Sequence, residues 1–231
     1  MDFYHIVHTY EPFNPNLKRR LDFARRTWNQ FSNNWKLRLH QLKPTDRTSQ
    51  SIGDRRQLPF IQDVIGQFLP EIPHDGIIVF TNTDSCLAPE TENFLIKRFS
   101  NSQCCWCHRV DYSHVDRIIG MQELSKRSQY PGGDFFAFRK KWWNKIKFPD
   151  MILGCHAWDG LLFAIMGNKN KMPPLVYHEI HSPGWRQGHN KGNDWNSALL
   201  KQYIANKNIK NCFWGIYANE NCQGLDLIKL L

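Results

Sequence analysis

The segment at residues 76–90, Gly-Ile-Ile-Val-Phe-Thr-Asn-Thr-Asp-Ser-Cys-Leu-Ala-Pro-Glu, constrains the fold more than any other stretch. Ile77, Ile78, Val79 and Phe80 form an unbroken apolar run rich in β-branched residues, introduced by the breaker pair Asp75-Gly76. A short run without polar alternation reads as a strand covered on both faces, as in the centre of a mostly parallel sheet. Apolarity stops abruptly at Thr81-Asn82-Thr83-Asp84-Ser85. Ligands of open α/β sheets gather at the carboxyl ends of the strands. Asn82 and Asp84, two apart in an extended segment, present their side chains to one side. Two oxygen-bearing side chains so placed can hold a hard divalent cation, and through it a diphosphate. The spacing alone suits a turn closed by side-chain-to-backbone hydrogen bonds at least as well.

The chain before this segment supplies the neighbours such a strand needs. Phe3 to Tyr10 is β-rich and reads as the first strand. Asn14-Pro15, or Asn16, starts a helix in which Leu17, Leu21, Ala24, Trp28 and Phe31 recur at helical spacing. Trp35, Leu37 and Leu39 alternate with Lys36, Arg38 and His40 as a second strand, and the polar residues 43–57 form a loop. Leu58, Ile61, Ile65 and Phe68 are spaced for a second helix, and Pro89-Glu90 opens a third. Strands and helices in alternation indicate a parallel sheet wound with helices.

Beyond residue 104 the pattern loosens. Residues 105–110 read as a strand and 111–131 as a loop-rich excursion. Gly132-Gly133-Asp134 then precedes an aromatic strand, the glycines allowing close backbone approach or positive φ. A helix follows over 140–147, and Asp159 sits at the start of another, where an N-cap is the plain reading. Residues 175–178 form a late strand ending in His178, with His181 close behind. Residues 182–196 hold three glycines, Trp185, Lys191 and Trp195, and read as a loop able to close over a ligand. A helix over 196–206, a strand over 211–217 and a terminal helix complete the expectation.

A length of 231 residues suits one large α/β domain, and no linker, repeat or low-complexity stretch divides it. No apolar run is long enough to span a membrane and no secretion signal opens the chain. Seven cysteines, Cys104 and Cys105 adjacent, argue for reduced thiols and a cytoplasmic setting. Cys104, Cys105, Cys107 and His108 invite a zinc reading, but structural zinc sites use two separated ligand pairs, and this is one crowded cluster on a strand. The net charge of +9 favours acidic partners: nucleic acid, anionic lipid or phosphorylated donors.

The order of these pieces resembles the GT-A glycosyltransferases, over about residues 3–185. The resemblance implies a single α/β domain with a Rossmann-type, mostly parallel sheet flanked by helices. About 1–110 would bind a nucleotide sugar, a UDP-sugar first, and about 111–231 the acceptor. It implies Mn²⁺ or Mg²⁺ on the donor diphosphate, held by Asp84 with His178 or His181. Asn82 stands where the family has the first acid of its Asp-x-Asp motif, which costs the site a charge. It further implies donor contacts from His8, Thr9, Asp54, Arg55, Arg56, Asp63, Asn82, Thr83, Trp185 and Lys191. Asp159 or Asp134 would be the base that deprotonates the acceptor hydroxyl. With the positive charge, the expected acceptor is a polyanion, namely DNA carrying hydroxymethylated bases, as in phage DNA modification. The alternatives are a cell-surface or lipid-linked saccharide, or a non-catalytic nucleic-acid-binding domain. A nucleotidyltransferase would share sheet and metal, but no Gly-rich phosphate loop follows the first strand.

Overall fold

A computed structural model describes residues 1–181 and 190–207. The strands are β1 (Phe3–His8), β2 (Trp35–His40), β3 (Ile77–Thr81), β4 (Cys86–Leu87), β5 (Cys104–Tyr112), β6 (Gln129–Arg139) and β7 (Val176–Glu179). The helices are α1 (Pro15–Trp28), α2 (Ile61–Gly66), α3 (Thr91–Arg98), α4 (Met121–Leu124), α5 (Lys140–Ile146), α6 (Trp158–Met166) and α7 (Lys191–Lys207).

All seven strands join one sheet in the order β2-β1-β3-β6-β5-β7-β4. Five run in one direction, with β6 and β4 against them, so the sheet is mostly parallel as expected. β3 is buried along its whole length. Ile77 and Val79 enter one core, with Ala24 and Trp28 of α1 and Leu95 of α3. Ile78 and Phe80 enter the other, with Ile61 and Ile65 of α2 and Leu161 and Phe163 of α6. Two covered faces explain why this strand shows no polar alternation.

α1 begins where the sequence indicates. Asn14 is extended, its Oδ1 accepts the Leu17 N–H at 2.8 Å, and Pro15 takes the first helical position. The far end of α1 anchors the segment after β3. The Trp28 indole N–H donates to Ser85 O at 2.8 Å, and the Leu87 N–H donates to Thr27 Oγ1 at 3.0 Å.

Several boundaries differ from expectation. β1 stops at His8 and the second helix is only Ile61–Gly66, because Phe60 bridges to Ile152 instead of continuing the helix. The presumed excursion after 110 holds the end of β5, the short α4 and the start of β6. The two-residue β4 had no local signal. The expected strand over 211–217 and the terminal helix lie outside the described residues. The cysteine cluster cannot converge on one ion: Cys105 and Cys107 face one core and Cys104 the other. Burial pushes the thiols of Cys104 and Cys107 up to about 12. Among the described residues no helix is long and apolar enough to cross a membrane.

Candidate functional site

The carboxyl ends of β1, β3, β5 and β7 lie along one edge of the sheet. Antiparallel β6 brings its amino end to the same edge. There the turn after β3 meets the end of β7. Asp84 Oδ2 lies 2.8 Å from His181 Nε2 and 3.3 Å from His178 Nε2, and the two imidazole nitrogens are 3.0 Å apart. Among the described residues these three form the one cluster able to hold a metal ion, their ligand atoms all within 4.8 Å of one another.

The parallel register of β5 and β7 sets Asp111 opposite His178. Asp111 Oδ1 lies 3.3 Å from His178 Nδ1, an ion-pair distance without hydrogen-bond geometry, so a carboxylate backs the ring while Nε2 points at Asp84. Burial opposes ionisation of Asp84, but His178 and His181 outweigh it and hold the carboxyl well below its usual range. Burial likewise opposes a charged His178, yet Asp84 and Asp111 push it up to about 9. A half-buried carboxylate with two converging imidazoles and a supporting acid is a donor set suited to a divalent cation.

Asp111 also joins this cluster to the next. The Arg109 guanidinium donates to Asp111 Oδ1 at 2.8 Å and to Asp134 Oδ2 at 2.5 Å, and stacks over Tyr130 with 4.2 Å to the ring centroid. The Asn82 amide donates to the other oxygen of Asp134. The β5–β6 register breaks on either side of His108, a bulge that brings Arg109 opposite Tyr130. Asn82 therefore faces Asp134 rather than the metal-type cluster, and Thr83 is half-buried in the turn between.

Asp159 stands in the first turn of α6. Its Oδ2 accepts the Gly133 N–H at 3.2 Å and its Oδ1 the Gly160 N–H at 2.9 Å, tying α6 to β6. Gly133 is there for close approach, not for positive φ. A Cβ on it would sit 1.9 Å from Phe163 Cζ of α6. Gly133→Ala is expected to force strand and helix apart, costing about 1–3 kcal/mol, with a lower melting temperature in calorimetry and, if Asp159 acts here, reduced activity.

Of the remaining expected donor contacts, His8 and Thr9 lie at the end of β1 beside β2. His8 Nδ1 is 3.0 Å from His40 Nδ1, and Thr9 Oγ1 accepts from Arg25 at 3.2 Å. A cavity of about 130 Å³ opens beside them, lined by Thr9, Tyr10, Lys18, Asp22, Arg25 and Gln41. Asp54 is turned inward, accepting the N–H groups of Arg56 at 2.8 Å and Gly192 at 2.7 Å. Arg55 and Lys191 are exposed and Arg56 half-buried beside Cys155. Asp63 does not line this cavity and is in a surface ion pair with Arg47. Trp185 lies outside the described residues. The expected closing loop is shorter than read, because residues from Lys191 onward belong to α7.

Sequence reasoning missed Asp111, Arg109 and Glu179. Glu179 points away from its neighbour His178. It takes Arg19, His114 and the Val115 N–H, so β7 is clamped from the α1 side as well. The signal for the first two was the alternation Arg109-Val110-Asp111, which extends the strand one full repeat past residue 110.

No family model matches the sequence, and no curated protein matches it. Solved structures do. S. aureus TarS 1–349 in complex with UDP-GlcNAc matches with a TM-score of 0.58 at 12% identity, covering 91% of this chain and 68% of that one. A second structure of S. aureus TarS 1–349 matches at 0.55 with 15% identity, over 91% of this chain and 67% of that one. This chain has the TarS fold. A further TarS structure matches at 0.53 with 14% identity, over 89% of this chain and 39% of that one. The GT-A-like architecture expected from the sequence is thus the one observed, and at these identities the likeness is one of fold.

Proposed function

We propose that the chain is a metal-dependent glycosyltransferase moving a sugar from a nucleotide-sugar donor, a UDP-sugar, to an acceptor hydroxyl. The carrying observation is the convergence of Asp84, His178 and His181 at the carboxyl edge of a sheet shared with TarS, a protein solved with UDP-GlcNAc. A divalent cation held by these three residues would neutralise charge developing on the departing diphosphate. Two imidazoles suit Mn²⁺ better than Mg²⁺.

The chain's own residues divide the remaining work. Asp111 places a negative charge behind the His178 ring, and Arg109 ties Asp111 to Asp134. Asp134, its oxygens engaged by Arg109 and Asn82, is assigned to positioning. Asp159, oriented by two backbone N–H groups, takes the acceptor proton. The cavity beside Thr9, with Arg25 and Lys18 on its wall, takes part of the nucleotide. The buried thiols suit a cytoplasmic setting, where nucleotide sugars are made.

For the acceptor, the net charge of +9 supports a polyanion, and DNA bearing hydroxymethylated bases remains the reading. Not all of that charge is on offer. Arg139 and Lys140 cap carbonyls of Asp75, Phe99, Leu69 and Ile72. A steep loss of acceptor binding with salt supports DNA, and a flat response supports a neutral saccharide.

The test is thermal unfolding with UDP or UDP-GlcNAc, with and without Mn²⁺. A rise needing both nucleotide and metal, roughly 5–10 °C at a hundredfold excess over Kd, is expected. A rise with DNA alone, and no donor hydrolysis, would make the chain a nucleic-acid-binding module instead.

A further inference from the structure

The residue two before Asp159 has an unusual backbone. Ala157 has φ 78° and ψ −23°, in the left-handed region that a Cβ disfavours, and it is 2% exposed. A left-handed alanine persists only where its surroundings over-determine it. Here they do so from both sides. After Ala157, the Trp158 ring packs on Phe80 and Phe136, and the Leu161 N–H donates to Ala157 O at 3.0 Å as the first bond of α6.

Before Ala157, three residues from one face of α7 grip the chain. The His156 N–H donates to Asn193 Oδ1 at 3.1 Å. His156 Nε2 lies 2.6 Å from Ser197 Oγ. Asn196 does most. It is fully buried, its amide donates to His156 O at 3.0 Å and Ile152 O at 2.9 Å, and its Oδ1 accepts the Ile152 N–H at 2.8 Å. Three hydrogen bonds from one side chain thus fix both ends of the turn that launches α6. None of them touches the cleft, so their effect falls on where α6 begins and where Asp159 points.

We infer that Asn196 is a positioning residue. It holds Ala157 in its left-handed conformation and so aims the Asp159 carboxylate at the acceptor. This rests on the transferase reading above, with Asp159 as base. Because the device is a strained residue under a clamp, it makes a prediction that ordinary structural support does not. Relieving the strain should compensate for loosening the clamp. Glycine takes the same φ without steric cost.

The experiment measures donor-dependent transfer and melting temperature for Ala157→Gly, Asn196→Ala and the double variant. Ala157→Gly alone is expected to melt above the wild type and keep its turnover, since the clamp still sets the geometry. Asn196→Ala is expected to lose kcat on the order of tenfold to a hundredfold, with the donor KM nearly unchanged. Adding Ala157→Gly should recover a large part of the lost kcat. Should Asn196→Ala fail to fold, Asn193→Ala, which removes the bond to His156 N, carries the same comparison. Unchanged kcat in the clamp variant, a lower melting temperature for Ala157→Gly, or no recovery in the double variant would overturn the inference. Failure of the transferase reading is distinct: the wild type itself would show neither transfer nor donor hydrolysis.

Discussion

Asp84→Ala is expected to abolish the rise in melting temperature that Mn²⁺ and a nucleoside diphosphate give together, and to lower transfer by about a hundredfold to a thousandfold. The substitution removes the only carboxylate of the cluster and leaves two imidazoles 3.0 Å apart with no anion between them. Arg109, Asp134 and Asn82 are bonded to one another and keep those contacts, so the acceptor side should stay formed. Asp84→Asn is the informative companion. It preserves shape and one oxygen but not charge, and is expected to bind Mn²⁺ more weakly than the wild type and more tightly than the alanine variant. Calorimetric titration of Mn²⁺ in the presence of UDP reads both. A full metal-dependent shift in Asp84→Ala would remove the cation from this site.

Asp159→Asn should act on turnover rather than binding. A positioned general base contributes about 10²–10⁴ in rate, and the amide cannot accept the hydroxyl proton. The carbonyl of the asparagine can still take one backbone N–H, so the fold and the Mn²⁺-dependent UDP shift are expected to survive nearly unchanged. Steady-state kinetics should then show kcat falling by that factor with the donor KM preserved. Near-normal turnover would show that Asp159 only ties α6 to β6 through Gly133, the N-terminal role that its place in the helix also allows.

Features encoded locally were legible in the sequence. Asn14-Pro15 marked the start of α1, the unbroken run at 77–80 marked the central strand, and the apolar stop at Asn82-Thr83-Asp84 marked the edge where the site forms. His178 and His181 came from the resemblance to GT-A enzymes, with a late strand expected to end at His178; the observed strand ends one residue later, at Glu179. What stayed hidden depends on partners far along the chain. Nothing near β6 says that it inserts antiparallel between β3 and β5. Without that, Arg109 could not be placed beside Asp134, and without the pairing of β7 with β5, Asp111 could not be placed behind His178. The start of α7 was hidden for a related reason. Lys191-Gly192-Asn193-Asp194 has poor helix propensity, and it is helical because Asp54 takes the Gly192 N–H and Asn193 engages His156.

The spacing of the ligand-type residues along the chain has a kinetic side. Asp84 is separated from His178 by 94 positions and from His181 by 97. Closing a loop of that length costs on the order of 4 kcal/mol of chain entropy, which two imidazoles and a carboxylate cannot repay alone. The cluster must wait until β7 docks between β5 and β4, at the edge of the sheet opposite β2. During synthesis the ribosome has released Asp84 long before His178 exists. A partly made or misregistered chain therefore carries the cavity wall and the basic helix but no carboxylate–imidazole cluster. The candidate metal cluster is assembled only when β7, the last of the described strands, takes its place in the sheet.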